Sequence, residues 1–367
     1  MRKACGGIHQ RTTRNRLGCG RSSWRPVVRV RTARDRSLRT RLVLEGQPLG
    51  TGFLPRSGAV SSVLSMSTLL SRRRFLVASA SLGALGTIPL RAAEPFSRSS
   101  RSRLRLSLAA YSFGDQFKPG KDGSPARMDM KRFVDYCADH ACGGAELTSY
   151  YFPEKVTDDY LRDLRRHAHL RGVTISGTAV GNDFCHPAGE KRNAEIASVK
   201  EWIRKAAILG APHIRVFAGG VHGTSEAEAA KLTIAALEEC GAEAGKAGVF
   251  LGVENHGGIV RKAESLIEIV KAVQSPWVGI NLDTGNFYST DPYRELALCA
   301  PWAVNVQFKG KVHVGGKSGV EKADYPRTFK ILRDAGYQGF VVLEYEFKDD
   351  PFVRVPVILE EMRPLLD

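Results

Sequence analysis

Acidic residues are scarce in the first part of this chain. Residues 1–105 hold three of them, Asp35, Glu45 and Glu94, against 22 Lys and Arg, a net of +19. The other 262 residues hold 32 basic and 35 acidic side chains, a net of −3. The formal charge of +16 over 367 residues therefore belongs to the leader, and a basic nucleic-acid-binding body is excluded. Long apolar runs are also lacking. None reaches the roughly 18–20 residues of a bilayer span, which argues against stable membrane insertion. No Cys-x-x-Cys pair occurs among Cys5, Cys19, Cys137, Cys142, Cys185, Cys240 and Cys299, so a thiolate zinc site is not expected. The odd number of cysteines in the body argues against a complete disulfide framework. No Gly-x-Gly-x-x-Gly follows the first expected strand, which weakens a dinucleotide-binding sheet.

What is present in the leader reads as an address. Residues 1–65 are rich in Arg, Ser and Gly without a sustained period, and are expected to be a disordered basic leader. Ser71-Arg72-Arg73-Arg74-Phe75-Leu76 has the pattern of a twin-arginine export signal. The apolar stretch 76–90 has 15 residues, the length of a signal core, and Ala92 and Ala93 are small enough for cleavage. Met66 lies five residues before the motif, so synthesis is expected to start there, with residues 1–65 upstream of the translated protein. The expected organisation is a leader at 1–65, a signal peptide and linker at 66–100, and a globular body at 105–367. Export by this route implies the twin-arginine translocation machinery as a partner and the periplasm as the compartment.

In the body, apolar β-prone runs alternate with amphipathic helical segments. Strands are expected at 105–113, 144–148, 173–178, 213–218, 249–254, 278–283, 303–309 and 340–346. Helices are expected at 130–140, 158–171, 190–209, 225–247, 262–273, 292–299, 325–335 and 352–364. Gly172, Gly210, Gly248 and Gly336 follow helical runs at the usual stop position. Thr224 is expected to cap the fourth helix. Eight strand–helix pairs over about 260 residues is the count of an α/β protein with a (β/α)8 TIM barrel. An open doubly wound sheet is the alternative.

A TIM barrel builds its site at the C-terminal ends of its strands. Polar residues concentrate there: Arg215 on strand four, Glu254, Asn255 and His256 on five, Asn281, Asp283 and Asn286 on six, Gln307 and Lys309 on seven, Glu344 and Glu346 on eight. Strand alternation pairs Glu254 with His256, Asn281 with Asp283, Gln307 with Lys309, and Glu344 with Glu346 on one face each. Buried carboxylates on three strands repel unless they are paired or bind a metal. A divalent cation is one compensation. Ion pairs to Arg215, Lys309 and Lys311 are the other.

The runs Val253-Glu254-Asn255-His256-Gly257-Gly258, Leu282-Asp283-Thr284-Gly285-Asn286 and Leu343-Glu344-Tyr345-Glu346 resemble the xylose-isomerase-like TIM barrels, a family of sugar isomerases and epimerases. Gly144-Ala145-Glu146-Leu147 and the segment 206–217 add to the likeness, which covers about residues 105–365. The resemblance implies one divalent metal ion held by Glu254, Asp283, Gln307 and Glu344. Gln307 stands where the family usually has His, and Asn286 where a substrate-contacting His often follows. An all-oxygen set favours Mn²⁺ or Mg²⁺, with Co²⁺ or Zn²⁺ as alternatives. The implied reaction removes a proton next to a carbonyl through an enediolate, with Glu254 and Glu344 as the catalytic acid and base. Glu146, Asn182, Arg215, His256, Asn286 and Lys309 are expected to bind substrate. The implied substrate is a small, unphosphorylated carbohydrate, and a homo-oligomer is compatible with the reading. A keto-sugar or cyclitol dehydratase or lyase, and a non-catalytic periplasmic sugar-binding protein, are the alternatives.

Overall fold

The computed structural model describes residues 94–98 and 101–367. The expected leader and residues 66–93 of the expected signal segment lie outside the described residues. The strands that form are β1 (Arg103–Ala109), β2 (Gly144–Thr148), β3 (Thr174–Ala179), β4 (His213–Val216), β5 (Phe250–Glu254), β6 (Val278–Asp283), β7 (Ala303–Phe308) and β8 (Gln338–Leu343). They are all parallel and close in the order β1-β8-β7-β6-β5-β4-β3-β2. After them in turn come α1 (Met130–Asp139), α2 (Asp158–Leu170), α3 (Glu190–Leu209), α4 (Glu226–Ala247), α5 (Ala263–Ala272), α6 (Pro292–Cys299), α7 (Tyr325–Asp334) and α8 (Pro351–Met362). This is the (β/α)8 barrel that the alternation of strand and helix patterns implied.

Local chemistry explains where the helices start and stop. The side chains of Asp129, Thr157, Asp291 and Asp324 accept hydrogen bonds from the first-turn amides of α1, α2, α6 and α7. Ser225, and not Thr224, caps α4: its hydroxyl accepts from the Glu228 amide at 3.1 Å, while the Thr224 hydroxyl donates to the Val221 carbonyl. Gly210 and Gly248 end α3 and α4 in the left-handed region, with φ of 83° and 68°. Leu161, Leu164 and Ala168 of α2, and Phe133, Val134 and Cys137 of α1, form the faces buried against the barrel.

Three differences from the sequence reading concern the ends of the barrel. β1 stops at Ala109, and residues 110–117 coil into a 3-10 turn. Ser112 accounts for the stop: its hydroxyl donates to the Leu343 carbonyl and accepts from the Tyr345 amide, tying the end of β1 to the end of β8. β8 ends at Leu343, so Glu344 and Glu346 stand on the segment just beyond the strand. A small accessory sheet of Tyr288–Ser289, Lys311–Val314 and Val320–Lys322 follows β6 and β7. At the other end, the Phe96 amide donates to the Pro301 carbonyl, its ring meets Phe250 edge-on at 5.9 Å, and Arg98 donates to the Ala303 carbonyl. Residues 94–98 of the expected linker thus pack under β5 and β7. Among the described residues, no helix is long and apolar enough to cross a membrane.

Candidate active site

Two groups of polar side chains fill the barrel. Asn281 and Asn305 lie two residues earlier on their strands than Asp283 and Gln307, and therefore deeper in the barrel. The deeper group centres on Glu146, which is fully buried. One Glu146 oxygen accepts from Gln307 Nε2 at 2.7 Å and the other from Asn305 Nδ2 at 2.9 Å. Asn305 Nδ2 also reaches Asn281 Oδ1 at 2.8 Å, and Asn281 Nδ2 donates to Gln307 Oε1 at 2.6 Å. The His213 ring sits 3.5 Å from Glu146, in space that Gly177 opens: a Cβ there would lie 1.8 Å from the imidazole. Every amide orientation in this group is fixed by the acceptor-only carboxylate at its centre.

The second group lies at the strand ends and is charged. Arg215 Nε pairs with Glu254 Oε2 at 3.0 Å, and Asn286 Nδ2 donates to Glu254 Oε1 at 2.9 Å. The Arg215 guanidinium stacks 3.9 Å from the Phe217 ring centre and donates to the Val180 carbonyl. Lys309 Nζ lies 3.0 Å from Asp283 Oδ2, 2.9 Å from Glu346 Oε2, 3.2 Å from Asn286 Oδ1 and 3.9 Å from Glu344 Oε1. Asp283 Oδ1 accepts from the Gly285 amide, and Asn255 clamps the Asp283 backbone through both ends of its amide. Glu254, Asp283, Lys309 and Glu344 expose 4%, 0%, 4% and 7% of their surface, so these charges interact with little solvent screening.

That setting shifts proton affinities. Burial pushes the Glu254 carboxyl up to about 7, against the pull of Arg215 and with the charge of Asp283 adding to the rise. Burial raises Asp283, with Lys309 opposing, and holds Glu344 well above the usual carboxylate range. Burial alone would lower Lys309, but Asp283, Glu344, Glu346 and Glu254 outweigh it and hold the amine well above its usual value.

The ligand set implied for a divalent ion does not fit this geometry. Gln307, the expected carbonyl ligand, has Oε1 committed to Asn281 and Nε2 to Glu146. Flipping the amide would set oxygen against the Glu146 carboxylate. Glu254 Oε1 accepts from Asn286, and Oε2 has the Arg215 charge 3.0 Å away. The Lys309 ammonium lies where Asp283 and Glu344 converge. In this arrangement the ion pairs to Arg215 and Lys309 compensate the carboxylates, and Asp283 Oδ2 is left without a hydrogen bond.

Other expected site residues are placed differently. Glu146 belongs to the deeper group and has no exposed surface with which to meet substrate. Asn182 spends both ends of its amide on the Phe217 backbone, fastening the loop after β3 to the end of β4. His256 stands at the rim, its ring 4.6 Å from Phe217. It lines a cleft of about 800 Å³ with Asn286, Tyr288 and Lys317. A second cleft of about 790 Å³, lined by Tyr111, Tyr151 and Phe347 among others, reaches Glu346. The two openings touch the charged group at Asn286 and Glu346. Strand parity grouped Glu346 with Glu344, but its contact with Lys309 was not foreseen. Asp183, His186 and His222 also went unpredicted as a group; their ligand atoms lie within 4.8 Å of one another, and His222 pairs with Asp183 at 2.7 Å. His222 comes from a different loop, so chain spacing carried no signal of that group. Cys185 is buried, its thiol beside Thr233 and the Ala218 carbonyl.

The profile of the family described as xylose isomerase-like TIM barrel matches residues 134–363. No curated protein matches the chain significantly. Among solved structures, the D-psicose 3-epimerase of Clostridium cellulolyticum H10, determined with D-tagatose, superposes with a TM-score of 0.60 at 16% identity, covering 72% of this chain and 99% of that one. The 3-keto-D-glucoside 4-epimerase of E. coli gives 0.56 at 15% identity, covering 72% and 100%. An IOLI protein with a bound zinc atom gives 0.58 at 16% identity, covering 71% and 96%. At such identities these structures share the fold with this chain. From the family profile, extending over more than half its length, the chain belongs to the xylose isomerase-like TIM barrel family.

Proposed function

We propose that the protein is a sugar isomerase or epimerase that moves a proton at a carbon next to a carbonyl. The observation that carries this reading is the pair of buried carboxyl groups at the strand ends, Glu254 with Arg215 at 3.0 Å and Glu344 with Lys309 at 3.9 Å. A carboxyl poised near 7, as Glu254 is, can take and return a proton at neutral pH. One carboxylate removes the proton, and the electron pair of the broken C–H bond moves onto the carbonyl oxygen to give an enediolate. The other carboxyl returns a proton to the opposite face or to the neighbouring carbon, so the product has the mass of the substrate. Arg215 and Lys309 place positive charge beside the developing oxyanion. Asn286 and His256 stand at the mouth, where sugar hydroxyls enter. The exposed rings of Tyr111, Tyr288 and Phe347 offer stacking surfaces at the two clefts.

The epimerase activities of two structural neighbours support this class of reaction. Ion pairs to Arg215 and Lys309 already supply positive charge to the cluster from the chain's own residues. The twin-arginine pattern supports a periplasmic place of work. Residues 94–98 already pack on the barrel, so cleavage after Ala93 would release a complete body. N-terminal sequencing of exported protein should begin at residue 94.

The activity is tested by incubating the full chain with panels of ketoses and keto-sugars and following products by NMR and mass spectrometry. The expected product is an isomer of unchanged mass. A product lighter by one water would assign a dehydratase. Saturable binding without conversion across the panel would assign a sugar-binding protein.

A further inference from the structure

We infer that Lys309 is the resident cation of this site, filling the position where a divalent ion would otherwise be held. The catalytic half of this inference rests on the proton-transfer reading above; the metal half rests on geometry alone.

Three independent features point the same way. First, the Lys309 ammonium has Asp283, Glu346 and Asn286 oxygens between 2.9 and 3.2 Å and Glu344 at 3.9 Å, so it already gathers the anionic groups that would draw a metal. A divalent ion among the same oxygens would face a buried like charge. Second, Gln307 is turned away and locked by Glu146 and Asn281, which removes the strand-seven donor. Third, Glu254 is neutralised from the other side by Arg215 at 3.0 Å. The lysine and the arginine together do what one divalent ion would do: they compensate the carboxylates at the ends of β5 and β6 and just beyond β8.

The chemical consequence concerns the substrate oxygen. As the proton leaves carbon, the electron pair accumulates on the carbonyl oxygen, and an ammonium there stabilises it by donating a hydrogen bond. Lys309 forms no covalent bond in this role. It keeps its three protons and is unchanged at the end of the cycle.

The test is Mn²⁺ binding by EPR and calorimetry on the full chain. It is done in a His222→Ala background, because Asp183, His186 and His222 form a separate group able to take an ion. The parent should bind no Mn²⁺ up to millimolar concentration, and EDTA should leave turnover unchanged. Lys309→Met keeps the side-chain length and removes the charge; Lys309→Ala removes both. Either variant, verified as folded by circular dichroism, should gain one Mn²⁺ per chain with roughly tenfold or greater tightening over the parent. Adding Asp283→Asn should abolish the gain. A parent that binds one Mn²⁺ lost on Asp283→Asn overturns the inference, as does a folded Lys309 variant that gains no ion. If no sugar is converted, the proposed activity fails while the Mn²⁺ result still decides the identity of the cation.

Discussion

The two polar groups inside the barrel are about equally buried and differ in kind. Around Glu146, neutral amides from β6 and β7 surround one carboxylate and satisfy both of its oxygens. Around Lys309, four carboxylates and two cations crowd the strand ends. A closed amide network specifies a packing arrangement, and its cost is already offset by its own hydrogen bonds. A charged group whose proton affinities are displaced is poised to exchange protons, and such displacement concentrates at functional sites. The contrast separates a framework from the chemistry it supports, within one interior and a few ångströms of strand.

The strongest way to break the contrast is to neutralise the charged group. Glu254→Gln should lower turnover about 10²- to 10⁴-fold, the usual worth of a positioned acid or base. The thermal unfolding midpoint should not fall, because the substitution removes a buried charge. Steady-state kinetics with thermal circular dichroism would check both halves. The deeper group should respond in the opposite way. Glu146→Ala strands the donors of Asn305 and Gln307, at about 1–3 kcal/mol for each unpaired group, and the loss should appear directly in urea unfolding.

A smaller effect comes from pH. If Glu254 is the base, kcat/KM should rise as pH climbs toward about 7 and level off above it, and Glu254→Gln should remove that dependence. The same group acts on stability with the opposite sign. Its folded value is raised above the ordinary 4.5, so its contribution is fully present below that value and is lost as pH rises through about 7. Urea unfolding at a series of pH values would show it. The smallest effect lies outside both groups and serves as a control. Ser225→Ala should cost about 1 kcal/mol through the lost cap of α4, Thr224→Ala less, and neither should change turnover.

The architecture was legible in the chain because it is periodic. Eight apolar runs, each followed by an amphipathic helix with a capping residue or a terminal glycine, leave few alternatives. The carboxylates at the strand ends were legible for the same reason, since Glu254 and Asp283 end their strands and Glu344 follows directly on its own. What escaped depends on contacts far apart in sequence. Gln307 looked like a carbonyl ligand until its amide was seen to be held by Glu146, 161 residues away. Asn182 looked like a substrate contact, but the backbone of Phe217 takes both ends of its amide. Ion pairing of the carboxylates to Lys309 was one of the two compensations the sequence allowed, but the contact of Lys309 with Glu346 was not legible. The accessory sheet escaped because its strands have two to four residues, too short to show a period.

The central claim is that the charged group exchanges a substrate proton with its own carboxyls. Its most direct test is to incubate the protein in D2O with candidate ketoses and keto-sugars and watch by NMR for deuterium at the carbon next to the carbonyl. The account predicts incorporation by the native chain and its loss on Glu254→Gln. Exchange that survives Glu254→Gln, or none with any candidate, would contradict it.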